Sequence, residues 1–348
     1  MSSNGKSLNN YPGYAPLMDT FLGAIHCNLL LVATKLKVFD HLTKPCTSLN
    51  IAEKINGHPE NIRRFLNALV AVDLLSKSDG IYCNTKLANN YLVSFEETYL
   101  GGMLLDLAQM QMQSSEDMKR LVLEGPPDLR PEQMLEREER WKQAAKNLVP
   151  YQKAGVASQA VAIVSALPEF PAFRKMLDLG GGPGIIGLSI VSSHPHMTGV
   201  LFDLPMVVGA AESEIRNQGM EDRMSVLSGD YNIDSFGEDY DLVWSSLNLY
   251  YAKNLTVLIR RIHESLNPGG VFVSIHEGLT DEKTSPPDFV LSRLALSLRG
   301  QELVFEQGEI ASAMLDADFQ SVASRTVRTP HGPVDADIAR KAPQKSRT

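Results

Sequence analysis

Apolar and polar positions divide the chain into an N-terminal part with helical periodicity and a C-terminal part of alternating strands and helices. Between Leu17 and Leu42, apolar residues fall on more than one face of a helix, which is typical of a helix buried in a large interface. Two shorter helices follow, the second beginning at His58-Pro59-Glu60, and an Asp79-Gly80 turn then joins two short strands. Two helices followed by a hairpin predict a winged helix.

From Lys175 onward the pattern predicts a mostly parallel sheet with helices on both faces. Predicted strands lie at 176–179, 200–203, 224–227, 242–245 and 271–275, and predicted helices at 184–193, 206–218 and 255–266. Two further apolar runs, 322–327 and 334–339, flank a Pro-His-Gly-Pro turn and predict a hairpin at the sheet edge. The predicted fold class is therefore α/β, with a Rossmann-like sheet preceded by a mostly helical domain.

Boundaries between these parts are placed where the pattern changes. Residues 1–14 are expected to be disordered, 15–100 to form the winged-helix domain, 101–165 a helical linker, 166–341 the sheet domain, and 342–348 a tail. Met103 and Met110 in the linker fit the wall of a pocket, because thioethers fill irregular apolar space.

Length, charge and cysteine usage narrow the function classes. The net charge of −8 argues against a nucleic-acid partner, because phosphate contacts need clustered Lys and Arg. Without a run of 18 apolar residues or the pattern of a signal peptide, we expect a cytoplasmic protein with no membrane partner. The three cysteines (Cys27, Cys46, Cys83) are widely spaced and the histidines lack zinc-site spacing, so no metal site is expected.

The strongest chemical motif lies where the first strand of the sheet meets its helix. Asp178-Leu179-Gly180-Gly181-Gly182-Pro183-Gly184 is a glycine-rich turn, and its glycines let a ligand lie against bare backbone. The helix N-terminus adds free N–H groups and a positive dipole end. Dinucleotide folds use G-x-G-x-x-G, whereas this loop has G-x-G-x-G after an acidic residue. The spacing favours a ligand made of an amino acid and a nucleoside over a pyrophosphate.

Acidic residues after the next two strands complete a candidate ligand site. Asp203 ends the second strand about 20 residues beyond the loop, where a carboxylate accepts hydrogen bonds from both ribose hydroxyls. Asp230 follows the third strand, where it is suited to accept from an adenine amino group. The candidate ligand-binding residues are Asp178, Gly180, Gly182, Gly184, Asp203, Leu204, Gly229, Asp230, Tyr231 and Ser245.

In these motifs the chain resembles the plant- and bacterial-type small-molecule O-methyltransferases, a family that includes the acetylserotonin methyltransferases. The resemblance covers most of the chain in the family's order, including Leu266-Asn267-Pro268-Gly269-Gly270 and Ala317-Asp318-Phe319 before the closing hairpin. It implies that the protein binds S-adenosylmethionine and transfers its methyl group to a small-molecule acceptor. It also implies a homodimer with swapped helices, formed by the N-terminal winged-helix domain.

One departure from the family concerns the general base. The family carries His-Asp-Trp after the fourth strand. In this chain the position of that histidine falls within Asn248-Leu249-Tyr250, and none of these three residues is a histidine. A neutral alcohol or phenol is a poor nucleophile without a base. We therefore expect either an acidic or soft acceptor, such as a thiol, acidic phenol or carbanion, or a different base.

Candidates for a different base lie at the ends of neighbouring strands. His276 and Glu277 follow the fifth strand, where ligands bind in open α/β sheets, and Tyr250 follows the fourth. A phenol with a pKa near ~10 is a weak base at neutral pH. In this family the N-terminal helix reaches the active site of the partner subunit. The candidate acceptor pocket comprises His26, Met103, Met110, Tyr151 and Asn248.

Two other functions stay open at this point. A relative that keeps S-adenosylmethionine for a cyclisation or hydroxylation does not need the missing histidine. A ligand-sensing regulator that binds DNA through the winged helix is less favoured, because the chain is acidic and lacks a basic recognition helix.

Overall fold

The computed structural model describes residues 13–127 and 132–344, which divide into two compact units between Leu105 and Asp106. The expectations of a disordered N-terminus and of a C-terminal tail fall largely on residues 1–12 and 345–348, which lie outside the described residues.

The N-terminal unit combines helices with a small antiparallel sheet. Its elements are α1 (Ala15–Lys35), β1 (Cys46–Thr47), α2 (Ser48–Lys54), α3 (Pro59–Ala71), β2 (Leu75–Ser78), β3 (Ile81–Asn84), α4 (Lys86–Tyr91) and the first part of α5 (Gly101–Gln111). The strands pair in the order β1-β3-β2, and β2 and β3 form a hairpin across Asp79-Gly80. These elements follow the order that the sequence predicts for a winged helix.

Side-chain caps fix where the two short helices begin. Thr47 Oγ1 accepts the N–H of Asn50 at 3.2 Å, and His58 Nδ1 accepts the N–H of Asn61 at 3.4 Å. Each cap satisfies a backbone N–H that the first helical turn leaves without a partner. The amphipathic α3 then buries one face, with Ile62, Leu66 and Leu69 in the core of this unit.

The apolar side chains of α1 are mostly exposed. Leu17, Phe21 and Ile25 are 63%, 68% and 63% exposed, and by length and composition alone α1 is able to cross a membrane. The helix ends at Lys35 instead of continuing to Leu42, because Lys37 is left-handed (φ 51°) and begins a short 3₁₀ turn. So large an apolar surface indicates that another surface covers α1.

The second unit contains the main sheet and its covering helices. After the rest of α5, its helices are α6 (Ser115–Glu124), α7 (Glu132–Tyr151), α8 (Ala157–Ser165), α9 (Ile185–Ser192), α10 (Val208–Asn217), α11 (Leu255–Ser265), α12 (Pro287–Ser297) and α13 (Glu309–Asp316). Its strands are β4 (Lys175–Leu179), β5 (Thr198–Asp203), β6 (Met224–Ser228), β7 (Tyr240–Ser246), β8 (Leu266–His276), β9 (Gly278–Leu279), β10 (Phe305–Glu306), β11 (Ser321–Thr329) and β12 (Gly332–Arg340).

The seven-stranded sheet has the order β11-β12-β8-β7-β4-β5-β6. The strands from β8 to β6 are parallel, and the β11–β12 hairpin joins the edge in antiparallel orientation through β8. This arrangement confirms the predicted α/β class with an edge hairpin. The strand order reverses at β4, and ligands of open α/β sheets bind at the carboxyl ends of the strands at such a switch point.

In the centre of the sheet, strands β4, β7 and β8 are largely buried on both faces, which explains their apolar character. Adjacent residues of β4 point to opposite faces, so Met176 packs in one core cluster and Leu177 in the other. The same alternation places Trp244 of β7 in the cluster covered by α8 and α9, and Val243 in the cluster covered by α11 and α13.

Candidate active site

The loop between β4 and α9 lies at the switch point of the sheet. Gly180, Gly182 and Gly184 have φ angles of 68°, 59° and 80°, a left-handed conformation that strains other residues. A side chain at Gly184 would collide with Leu201 of β5, and one at Gly180 would collide with Asn248. At Gly182 no atom lies within 4 Å of the position where a side chain would start. The loop is therefore tightly packed at its ends and open at Gly182.

Asp203, at the end of β5, holds the open part of the loop. Its Oδ2 accepts the Gly182 N–H at 2.8 Å, and its Oδ1 accepts the Leu204 N–H at 2.7 Å. Burial raises the pKa of this carboxyl above its usual value, and the two hydrogen bonds oppose that shift. Each carboxylate oxygen keeps a further lone pair. The structure thus brings Asp203 beside the glycine loop with capacity left to accept hydrogen bonds from a ligand.

Asp230 lies in a rigid turn after the neighbouring strand β6. One of its carboxylate oxygens, Oδ1, accepts both the backbone and the side-chain amide of Asn232 at 2.8 Å. A side chain at Gly229 would collide with Phe202, and the Tyr231 hydroxyl donates to the Asn248 carbonyl at 2.7 Å. The turn is therefore fixed, and the second oxygen of Asp230 is left for a ligand.

Two residues of the predicted ligand-binding set lie beneath the loop and not on its open side. Asp178 is only 2% exposed, its Oδ2 accepts the N–H of Gly187 at 3.1 Å, and burial raises its pKa to about 7. Ser245 is fully buried and donates to Asn248 Oδ1 at 2.6 Å. Both side chains support the loop, so this geometry does not favour direct ligand contacts for them.

Asn248, predicted to lie in the acceptor pocket, is instead bonded to the loop. Its Nδ2 donates to the carbonyl oxygens of Leu179 at 2.5 Å and Gly180 at 3.2 Å. Its Oδ1 accepts the hydroxyl of Ser245, and the residue is buried. Both amide donors and the amide oxygen are engaged, which argues against a role in binding the acceptor.

His276 ends β8 but its imidazole faces the protein interior. It is 1% exposed, with Nδ1 at 3.3 Å from Ser274 Oγ and Nε2 at 3.4 Å from Asp337 Oδ2. Burial lowers the pKa of His276 and raises the pKa of Asp337. Because both ring nitrogens face buried protein groups, the structure does not favour His276 as the base that receives a proton from an acceptor.

Glu277 forms a buried ion pair with Arg293 of α12. The guanidinium donates from Nε to Oε2 at 2.9 Å and from Nη2 to Oε1 at 2.6 Å. The Arg293 guanidinium carbon also lies 5.8 Å from the centre of the Tyr250 ring. Since both oxygens of Glu277 are committed to Arg293, its carboxylate is poorly placed to accept a proton.

Aromatic and titratable side chains gather around this ion pair at the carboxyl ends of β7 and β8. We call the following residues the strand-end cluster: Tyr151, Tyr250, Tyr251, Glu277, Arg293 and His331. The Tyr250 and Tyr251 rings lie 4.7 Å apart, and the Tyr151 and His331 rings 5.2 Å apart. Burial raises the pKa of Tyr151 to about 12 and that of Tyr250 further still. Both phenols are neutral at pH 7, so they donate hydrogen bonds and are not bases.

Sequence reasoning did not select Arg293 or His331. Arg293 lies on α12, whose start at Pro286-Pro287 carries a recognisable helix-start signal, but its partner Glu277 is 16 residues away. His331 lies in the β11–β12 turn, where partial desolvation lowers its pKa; the Glu277 carboxylate opposes this shift and the Arg293 guanidinium adds to it. No local sequence pattern links these residues, since only the folded sheet brings them together.

The other predicted pocket residues are distributed over both units. His26 is exposed on α1 and Met103 lies on α5, both in the N-terminal unit, whereas Met110 of α5 belongs to the second unit. Their contribution to an acceptor pocket stays a prediction. Within residues 13–127 and 132–344, no group of three His, Cys, Asp or Glu side chains is arranged to hold a metal ion.

A glycine loop and an acidic strand end at the switch point of an open α/β sheet are typical of proteins that bind nucleoside-containing ligands. Comparison with known proteins makes this more specific. Residues 139–308 match the O-methyltransferase domain, and residues 18–94 match the O-methyltransferase dimerisation domain. The chain belongs to the O-methyltransferase family and carries the family's dimerisation domain at its N-terminal end. This membership confirms the predicted methyltransferase class, and the solved structure of a human relative described below confirms the predicted fold.

Individual relatives cover most of the chain. The N,N-dimethyltransferase OxyT of Streptomyces rimosus is 27% identical over 300 residues, which is 83% of this chain and 85% of that protein. Acetylserotonin O-methyltransferase of Bos taurus is 25% identical over 342 residues, 94% of this chain and 98% of that protein. Human N-acetylserotonin methyltransferase, solved in complex with SAM, shares the fold with a TM-score of 0.79 at 22% identity, over 97% and 99% of the two chains.

Proposed function

We propose that the protein is a homodimeric methyltransferase that transfers the methyl group of S-adenosylmethionine to a small-molecule acceptor at the strand-end cluster. The observation that carries this proposal is the pairing of the Gly182 N–H with Asp203 beside the open face of the loop. That arrangement leaves bare backbone and a carboxylate with unused lone pairs side by side. It suits a ligand that combines an amino acid with a nucleoside.

The residues present fit this cofactor. Asp203 is placed to accept hydrogen bonds from ribose hydroxyls and Asp230 from an adenine amino group, while the N-terminus of α9 favours a carboxylate. When bound, S-adenosylmethionine supplies a methyl group activated by the sulfonium charge. The chain therefore has mainly to bind and orient the two reactants and to exclude water.

The acceptor we propose is acidic or soft. The relatives differ in the atom they methylate, since OxyT is named as an N,N-dimethyltransferase and the bovine enzyme as an O-methyltransferase. In the strand-end cluster the tyrosines keep their protons and Glu277 is neutralised by Arg293. His331, with its lowered pKa, is a weak base that is unprotonated at pH 7. Such a base suits thiols, acidic phenols or stabilised carbanions better than unactivated alcohols.

The homodimer is proposed from α1 and the family's dimerisation domain. The match to that domain, residues 18–94, includes most of α1, whose apolar side chains are exposed in the single chain. A second copy of this helix provides an apolar surface of matching character. The expected cytoplasmic location is part of the proposal, and a membrane as the partner of α1 is the alternative.

Calorimetry and turnover test this function together. We expect binding of S-adenosylhomocysteine, no binding of NAD, and release of S-adenosylhomocysteine from S-adenosylmethionine with a panel of thiols, acidic phenols and plain phenols at pH 6–9. Preferential binding of NAD would contradict the cofactor assignment. A bound S-adenosylmethionine that is not consumed while the acceptor is cyclised or hydroxylated would favour the alternative chemistry.

A further inference from the structure

Asn248 connects β7 to the cofactor loop through its side-chain amide. At the carboxyl end of a parallel strand the last carbonyl groups lose their ladder partners, and buried carbonyls need others. The side-chain amide of Asn248 supplies these hydrogen-bond donors. Its Nδ2 lies 2.5 Å from the Leu179 carbonyl oxygen and 3.2 Å from the Gly180 carbonyl oxygen. The amide bridges the point where β4 and β7 separate, because Leu179 is the partner of Ser245 in the last step of that ladder.

The position of Asn248 is itself fixed from three directions. Ser245 donates its hydroxyl to Asn248 Oδ1 at 2.6 Å, and Tyr231 donates its hydroxyl to the Asn248 carbonyl at 2.7 Å. Leu247, the preceding residue, is left-handed (φ 53°), and its N–H bonds to the Ile275 carbonyl of β8 at 2.9 Å. A left-handed Leu is strained, and such strain persists where the surrounding structure requires that conformation.

The two carbonyl bonds determine how the peptide groups of the loop are oriented. In a trans peptide the C=O and the following N–H point in opposite directions. In the Leu179–Gly180 peptide, the carbonyl accepts a hydrogen bond from Asn248. The N–H of the same peptide therefore points the other way and donates to the Phe202 carbonyl of β5 at 2.7 Å. By the same geometry, holding the Gly180 carbonyl at Asn248 directs the Gly181 N–H away from Asn248.

We propose that Asn248 is a positioning residue for the cofactor: its amide sets the peptide orientation of Leu179–Gly181, and thereby the donor groups that the loop presents. The inference rests on the proposed cofactor, and it assigns Asn248 to the cofactor side of the site. It also removes Asn248 from the candidates for substrate contact. A histidine side chain at position 248 has no NH₂ group, so it would not donate two hydrogen bonds from one nitrogen to the carbonyls of Leu179 and Gly180.

The most direct test replaces Asn248 by the nearly isosteric aspartate, which is unable to donate two hydrogen bonds. We expect Asn248→Asp to weaken binding of S-adenosylhomocysteine by about 10- to 100-fold in calorimetry at 15 °C, since a positioning amide acts on the loop before any acceptor binds. Hydrogen exchange of the peptide that contains Gly180–Gly182 is expected to become faster in the ligand-free variant. Thermal unfolding of each variant shows whether the protein is folded at the binding temperature.

Two further variants keep the test decisive. Asn254→Asp is the matched control, because Asn254 caps α11 by accepting the Val257 N–H at 3.0 Å, a bond that aspartate makes equally well. Ser245→Ala removes only the support of Asn248 and is expected to weaken binding by about 3- to 10-fold, so it replaces Asn248→Asp if that variant does not fold.

The outcomes separate this inference from the proposed function. If the unaltered protein fails to bind S-adenosylhomocysteine, both are wrong. If it binds, and the folded Asn248→Asp and Ser245→Ala proteins bind within twofold of it with unchanged loop exchange, only the positioning role is overturned. Loss of affinity in these variants but not in Asn254→Asp supports it.

Discussion

Arg293 donates two hydrogen bonds to the carboxylate of Glu277, and the side chains of this pair are only 18% and 7% exposed. Burial alone would lower the pKa of Arg293. Glu277 and the adjacent tyrosines together raise that pKa by more than burial lowers it, so the guanidinium stays charged. The ion pair is therefore a permanent part of the strand-end cluster. Removing one partner leaves the other as an uncompensated buried charge.

This relationship predicts a large loss of stability for Arg293→Met. We expect the free energy of unfolding in urea to fall by about 3–5 kcal/mol, the usual cost of breaking a buried pair from one side. Arg340→Met is the control, because the Arg340–Glu169 pair is about as short, at 2.6 Å, but more exposed (29% and 28%). That variant is expected to lose about 1 kcal/mol or less. Equal losses in the two variants would contradict this account of Glu277–Arg293.

Asp203→Ala is expected to weaken cofactor binding. The change removes the acceptor of the Gly182 N–H and the proposed partner of the ribose hydroxyls, at a cost of about 1–3 kcal/mol in the binding of S-adenosylhomocysteine. Calorimetry measures the affinity. Asp222→Ala, at an exposed aspartate, serves as the control. An unchanged affinity in Asp203→Ala would remove Asp203 from the cofactor site.

Asp178→Asn is expected to stabilise the ligand-free protein more as the pH rises. Because burial raises the folded-state pKa of Asp178 to about 7, above its usual value of 3.8, the carboxyl favours folding at low pH and loses that contribution between about pH 4 and 7. Asparagine does not ionise and still accepts the Gly187 N–H. We expect the stability advantage of the variant to grow by about 1–3 kcal/mol from pH 5 to pH 8 in urea unfolding. A constant difference would mean that Asp178 has no raised pKa.

Charges on α1 are expected to dissociate the homodimer. Light scattering of the unaltered protein should give twice the chain mass of 38.3 kDa, and the double variant Phe21→Asp, Ile25→Asp should give the single-chain mass. Ile233→Asp is the control, since Ile233 is 72% exposed in the second unit. A monomer in the unaltered protein, or recovery only with detergent micelles or vesicles, would contradict the proposed dimer.

His331→Gln is expected to reduce methyl transfer and change its pH profile. An imidazole base must be unprotonated, so its lowered pKa predicts an activity rise centred below pH 6.5 with the best acceptor of the panel. The variant should lose this rise and about 10²- to 10⁴-fold in turnover, with unchanged affinity for S-adenosylhomocysteine. His263→Gln, whose pKa burial also lowers, is the control on α11. The same profile in His331→Gln and the unaltered protein would exclude His331 as the base.

Local patterns in the sequence were sufficient to predict the sheet and its loop. The central strands β4, β7 and β8 are largely buried on both faces and need apolar runs, which are visible without knowing the neighbouring strands. The left-handed turns at Gly180, Gly182 and Gly184 require glycine, so the loop is marked in the sequence too. The sequence also predicted Asp203, because it ends the strand that follows the glycine loop and lies at the usual distance from that loop.

Only the tertiary structure decided what the polar side chains near the loop do. Asn248 lies 69 residues from Leu179 and 68 from Gly180, and His331 is far from Tyr151 in the chain. The same strand-end position that made His276 a candidate base gives it a buried site beside Asp337. Hydrogen bonds and ion pairs of this kind depend on the strand order and on the helices packed above it. The periodicity of apolar residues carries no information about such contacts. The sequence by itself therefore determined the sheet and the glycine loop, whereas the tertiary structure decided which partners the polar side chains around the loop contact.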